Sequence, residues 1–178
     1  MEIRALQQVD DRARFRSGDP DLDRFFHGFA GQNRFRHHVG VTYVAVEGSR
    51  ILGFATVAPG HVEIDRLPLA TRGKLPRYPL PVLRLARLAT DSSARGQGVG
   101  RALLRFVLHL ALRMSDDYGC VGVVVDAKPD AVDFYSKHGL IPLDLLEGRS
   151  DARPQPLAMF RSIRAIRDAL GPGRAGDA

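Results

Sequence analysis

The sequence predicts an α/β fold in which helices pack around a mixed β-sheet. Three observations carry that expectation. Two β-rich runs, Val41 to Val46 and Ile51 to Val57, flank the turn Glu47-Gly48-Ser49-Arg50 and read as a hairpin. In mid-chain the apolar run Val82 to Ala89, preceded by Pro81, gives way to polar Asp91-Ser92-Ser93 and then to a helix of strict apolar period, a strand-loop-helix unit. The valine run Val121 to Val125, broken only by Gly122, has the composition of a strand buried on both faces and hence central in the sheet.

The remaining elements follow in order. Glu2 to Leu6 alternates and reads as a first strand. Asp19-Pro20 announces a helix, with Asp19 as cap and Pro20 at the first helical position, and Leu22, Phe25, Phe26 and Phe29 recur at helical spacing as core residues. Gly31 and Gln32-Asn33 end it, and Arg34, Arg36, His37 and His38 form a basic, mobile connector. The histidine pair lacks the ligand spacing of a metal site. Gly60 to Leu80, rich in proline and glycine, reads as a variable loop with one short element. After the mid-chain loop, Leu103, Leu104, Val107, Leu108, Ala111 and Met114 line one face of a helix reaching about Asp117. Lys128-Pro129-Asp130 starts the next helix, which runs through Phe134-Tyr135 to a stop at Gly139. Leu140 to Pro142 is a short strand before a polar loop, Leu157 to Phe160 a last strand, and Ile163 to Leu170 a terminal helix. The sequence thus predicts one domain over 1–162 and a short helix and tail over 163–178 with a disordered end.

Composition bounds the function. A chain of 178 residues with 44% hydrophobic content suits one domain with a real core. The single cysteine, Cys120, leaves no intrachain disulfide, which fits a reducing cytoplasm. The N-terminus has no apolar leader and no stretch has the ~20 apolar residues that span a membrane. A net charge of +6, carried mostly by arginine, favours phosphorylated partners, because the planar guanidinium matches phosphate oxygens.

The mid-chain loop holds the chemistry. Gly96, Gly98 and Gly100 alternate just before a helix, so bare backbone N–H groups gather at its positive end, a site for a phosphate or pyrophosphate. A Walker loop is excluded because Arg101-Ala102, not Lys-Ser or Lys-Thr, follows Gly100. A dinucleotide fingerprint fails because the loop is mid-chain and Arg101 stands where its last glycine would fall. What remains is Arg95-x-x-Gly98-x-Gly100, which resembles the acyl-CoA pyrophosphate loop of the GCN5-related N-acetyltransferase (GNAT) family. Phe134-Tyr135-x-x-x-Gly139-Leu140 resembles that family's closing Phe-Tyr-x-x-x-Gly-Phe, with Leu140 where phenylalanine is commoner. The opening run from Phe15 through Gly18, Leu22 and Asp23 to Phe25-Phe26 resembles the GNAT toxins of type II toxin–antitoxin modules. Their Arg-Leu-Ala-Val-Asp strand appears as Arg87-Leu88-Ala89-Thr90-Asp91.

The resemblance implies a mixed, mostly antiparallel central sheet flanked by helices, and acetyl-CoA as co-substrate without a metal. Carried over by motif, the main chain of Gly96, Gln97, Gly98, Val99, Gly100 and Arg101 with the Arg95 side chain holds the pyrophosphate. The main chain of Leu88, Ala89 and Thr90 pairs with pantetheine, with the Leu88 N–H facing the thioester oxygen; Phe134 contacts the coenzyme and Tyr135 is the general acid. Arg34, Arg36, Arg84 and Arg87 are candidate tRNA phosphate contacts. No general base stands out among Glu63, Asp65 and Asp126, and an α-amine of pKa about 8 already has a neutral fraction at physiological pH. The resemblance also implies aminoacyl-tRNA as acceptor, a ribbon-helix-helix antitoxin and a homodimer. Two other readings stay open: a GNAT acting on a small amine or a protein N-terminus, and a non-catalytic coenzyme-binding regulator.

Overall fold

The computed structural model describes residues 1–73, 75–143 and 156–171. Its strands are β1 (Glu2–Ala5), β2 (Val41–Glu47), β3 (Arg50–Val62), β4 (Leu80–Thr90), β5 (Gly122–Ala127), β6 (Ile141–Pro142) and β7 (Leu157–Ser162), in one sheet of order β1-β2-β3-β4-β5-β7-β6. The pairs β1/β2, β2/β3, β5/β7 and β6/β7 are antiparallel. The helices are α1 (Pro20–Gly28), α2 (Ala30–Gln32), α3 (Leu69–Arg72), α4 (Val99–Asp117), α5 (Val132–Lys137) and α6 (Ile163–Leu170). The chain divides into two compact units, Met1–Ala58 with Leu85–Leu108, and Pro59–Arg84 with His109–Ala178.

The first unit is built on phenylalanine. Phe26 stacks on Phe54 with ring centroids 4.3 Å apart, and Phe15 meets both rings edge-on at 4.9 and 5.4 Å. Such pairs add about 0.5–1.5 kcal/mol each beyond the area they bury. α1 is oriented by its cap, for Asp19 Oδ1 accepts the N–H groups of Asp21 and Leu22 at 2.9 and 3.2 Å ahead of Pro20. Gly53 is a place where only glycine fits, since a Cβ there would lie 2.8 Å from both the Ala89 carbonyl and the Val99 side chain. That close approach sets β3 against the end of β4 and the start of α4.

The second unit closes over Val62, Leu67, Leu80, Val82, Val124, Leu143, Ala158 and Phe160. The valine run lands as expected, with Val123, Val124 and Val125 at most 3% exposed in β5 between two neighbouring strands. α6 starts at Ser162, whose hydroxyl accepts the Ala165 N–H at 3.1 Å, and buries Ile166.

Three expectations need correction. Phe29 is not core: α1 ends at Gly28, Phe29 caps it, and the break in period leaves its side chain 49% exposed. The basic connector is helical, because Asn33–His37 forms a π-helix closed by His38 in the left-handed conformation (φ 53°), with the His38 N–H on the Asn33 carbonyl. Arg34, Arg36 and His37 occupy its last turn, where cations suit the negative end of a helix; their polar composition resembles that of a loop. Gly60 to Leu80 is more ordered than its prolines and glycines suggest. β3 continues to Val62, a 3₁₀ turn spans Ile64–Arg66, and α3 follows Pro68, because Val62, Leu67 and Leu80 are drawn into the core. The polar loop expected before Leu157 falls, over 144–155, outside the described residues, as does the expected disordered end over 172–178.

Candidate active site

In the first unit β4 ends at Thr90, and a 3₁₀ turn, Ser92–Ala94, leads to the exposed run Arg95, Gly96, Gln97 and Gly98 and then to α4. Gly96 and Gly98 both lie in the left-handed region (φ 75° and 79°), which turns successive peptide groups in a way that a β-substituted residue resists. The space beside both is open, a Cβ there meeting nothing within 4 Å. The Ala102 N–H reaches the Gly98 carbonyl at 3.0 Å, so the N–H groups of Val99, Gly100 and Arg101 belong to the first turn, where a helix has no internal acceptors. Main-chain donors and the positive helix end thus share one exposed place. That is the chemistry of an anion cradle, and its open space suits the oxygens of a pyrophosphate.

The opening segment braces this loop. The Arg16 N–H donates to Asp91 Oδ2 at 2.9 Å, and the Arg16 carbonyl accepts the Ser92 N–H at 2.7 Å and the Ser92 hydroxyl at 2.9 Å. The Arg95 guanidinium donates to the Ser17 carbonyl and lies against Gly18, which has φ 88°. Asp23 holds Ser17 in turn through its N–H at 2.8 Å and its hydroxyl at 2.6 Å. Burial works to raise the Asp91 carboxyl, but hydrogen bonds from the Ser93 hydroxyl, the Arg16 N–H and the Ser93 N–H, with the charge of Arg50, hold it below the ordinary range. Within the same unit a cleft of about 560 Å³ is lined by Arg14, Arg50, Asp91 and Ser93, with Phe15 and Ile51 among its apolar walls. Phe15 and Asp91 belong to runs quoted from the sequence, but none of the residues selected there for coenzyme, acid or RNA contact lines it.

In the second unit Tyr135 is 5% exposed on α5, and burial pushes its hydroxyl pKa up. Gly139 (φ 81°) terminates the turn, and the Tyr135 carbonyl accepts the N–H groups of His138 and Leu140 at 3.0 and 3.1 Å. Phe134 is half-buried, its ring 4.6 Å from that of His138, whose Nδ1–H donates to the Phe134 carbonyl at 2.7 Å.

The acetyltransferase (GNAT) domain pattern matches residues 38–140. The chain belongs to the GNAT acetyltransferase family. A tRNA-acetylating toxin of Mycobacterium tuberculosis (strain ATCC 25618 / H37Rv) is 31% identical over 137 residues, covering 76% of this chain and 80% of that protein. The structure of AtaT complexed with acetyl-methionyl-tRNAfMet is 26% identical, with a TM-score of 0.80 over 96% of this chain and 99% of that one. AtaTR bound with acetyl-CoA is 27% identical, with a TM-score of 0.75 over 96% of this chain and 98% of that one.

Among the residues selected from the sequence of this GNAT chain, Leu88, Ala89 and Thr90 end β4 and run continuously into the cradle from Arg95 to Arg101. Leu88 and Thr90 are half-buried and Ala89 is buried. Phe134 and Tyr135 share α5. The four arginines chosen as RNA contacts are placed differently from one another. Arg87 lies with its guanidinium carbon 3.9 Å from the Phe25 ring centre, and burial lowers its pKa, so it packs within the first unit. Arg84 pairs with Asp126 at 2.7 Å, which also ties up one carboxylate considered as a base. Arg34 is half-buried over Phe35 and Arg36 is exposed, both on the π-helix. Sequence reasoning missed Asp91, Arg16, Ser17 and Ser92 as supports of the cradle. The signals for them are the polar cluster directly after the strand, which holds Asp91 and Ser92, and the opening run from Phe15 to Gly18, which holds Arg16 and Ser17.

Proposed function

We propose that this acetyltransferase is a toxin that moves the acetyl group of acetyl-CoA onto the α-amine of aminoacyl-tRNA and so blocks translation. The observation that carries the reading is the exposed cradle of glycine and helix N–H groups directly after β4, in a chain related to tRNA-acetylating proteins. Reading 1–162 as one catalytic domain rests on the family match, whose residues 38–140 draw on both units.

In this reading the main chain of Gly96 to Arg101 and the Arg95 side chain hold the pyrophosphate, and Leu88 to Thr90 offer main-chain groups to pantetheine. When bound, acetyl-CoA supplies an activated acyl group whose carbon accepts an amine and whose sulfur departs. The Leu88 N–H donates to the carbonyl oxygen as negative charge gathers there. Tyr135 gives its hydroxyl proton to the departing sulfur; burial keeps that proton in place across the physiological range. The acceptor amine, with a pKa of about 8, loses its own proton to solvent without a dedicated base. The proposed partners are a ribbon-helix-helix antitoxin and a second copy of the chain. The proposed compartment is the cytoplasm, where charged tRNA is found; among the described residues no helix is long and apolar enough to cross a membrane.

The test is transfer of labelled acetyl from acetyl-CoA to total aminoacylated tRNA, with uncharged tRNA as control. Label on the charged pool alone is the expected result. No transfer, with acetyl-CoA binding demonstrated, would exclude the RNA acceptor and direct the search to small amines and protein N-termini.

A further inference from the structure

α4 does more than open the cradle. Arg101, Arg105, His109 and Arg113 recur every fourth residue, so they form one slowly drifting row along the helix surface. At 1.5 Å per residue the row is about 18 Å long. The three arginines are exposed and the histidine half-buried, while Leu103, Leu104, Val107, Leu108 and Ala111 turn into the core. No acidic residue occurs on the helix before Asp116. Among the described residues Arg101, Arg105 and Arg113 have no ion-pair partner, whereas Arg167 pairs with Asp116 at the far end of α4 at 2.8 Å.

This arrangement is unfavourable in the free protein. Like charges four residues apart destabilise a helix by about 0.2–0.5 kcal/mol per pair. A cation in the first turn also opposes the helix dipole, and Arg101 is there. A polyanion relieves both. The row is too long for a single phosphate group and carries three forked donors with an imidazole between the last two, which is the pattern that follows a sugar-phosphate strand.

We propose that the Arg101-Arg105-His109-Arg113 row on α4 is a backbone-contact ridge for the acceptor RNA, giving affinity without base specificity. The inference rests on the aminoacyl-tRNA reading above. It assigns to α4 a role separate from the four arginines selected from the sequence, and its affinity is salt-dependent.

Arg105→Glu/Arg113→Glu tests it, with Arg105→Gln/Arg113→Gln as the milder pair; both leave Arg101 and the cradle intact. Two acceptors are compared: total aminoacylated tRNA, and the aminoacyl-adenosine released from the same pool by ribonuclease. The expected result is a KM for charged tRNA raised about tenfold or more by the Glu pair and less by the Gln pair. The dependence of log KM on log salt should flatten by about 1 for each arginine removed. The KM for aminoacyl-adenosine and the thermal midpoint should stay at their wild-type values. A tRNA KM and salt slope equal to wild type would overturn the ridge and leave the acceptor reading standing, returning the row to an acidic protein partner. Equal loss on both acceptors would overturn it as well, by placing the effect in the fold or the cradle. Wild-type enzyme that labels neither acceptor would remove the underlying reading, and the ridge with it.

Discussion

Between Asp91 and Arg101 the groups proposed to hold the coenzyme lie in the main chain and face solvent, whereas between Val132 and Gly139 the group proposed to act is one buried side chain. Both are a turn joined to a helix. The first needs residues with almost no side chain, at φ 75° and 79°, and a brace from the opening segment. The second holds a single hydroxyl in a buried place, and burial pushes its pKa up. On the proposed reading the first site fails when a side chain is added, and the second fails when one atom is removed.

The sharpest way to break this contrast is Tyr135→Phe. The substitution deletes only the hydroxyl, so acetyl-CoA affinity and thermal midpoint should hold while kcat falls by about 10²–10⁴, the usual weight of a general acid. Steady-state kinetics beside calorimetric binding decides it; a kcat within about threefold of wild type would show that the proton comes from elsewhere.

Gly98→Val should give the opposite signature. A β-branched residue at φ 79° is strained by about 1–2 kcal/mol, and the loop relaxes by turning its N–H groups away. Acetyl-CoA should bind about tenfold more weakly, with kcat at saturation close to wild type. Binding left unchanged would mean that the cradle is not main-chain built.

The smallest effect belongs to the brace. Asp91→Asn weakens the acceptor for the Arg16 and Ser93 N–H groups and should lower unfolding stability by about 1 kcal/mol, near the low end for a hydrogen-bonded charge because the residue is only half-buried. The sign with pH is fixed by the lowered carboxyl pKa: its stabilisation is complete above about pH 4, where a free aspartate ionises, and fades as pH falls through the lower folded value. Urea titrations at neutral and acid pH should show the variant's deficit shrinking on acidification; a constant deficit would assign the loss to shape, not charge.

These two regions also differ in how far they could be read in advance. The glycine turn and the helix it opens were legible residue by residue, because alternating glycines before a 3.6-period helix constrain the backbone locally. α5 was legible as a helix, but the degree of burial at Tyr135 was not, since neighbours far along the chain set it. The π-helix at Asn33–His37 escaped for another reason: three basic residues around the single Phe35 carry no apolar period, and only their fit to a helix C-terminus explains them. Prolines and glycines hid the strand and short helices between Gly60 and Leu80 in the same way.

Arginine gives the clearest division. By itself the sequence determined that this chain carries a glycine turn, a helix behind it and a surplus of guanidinium groups, because those follow from spacing and charge within short windows. It did not give the partner that each guanidinium finds within the protein. Arg87 lies over Phe25, Arg84 pairs with Asp126, and Arg95 reaches back to Ser17. Only the tertiary structure decided those roles, since each partner is 42 or more residues away, and local periodicity carries no information about such pairings.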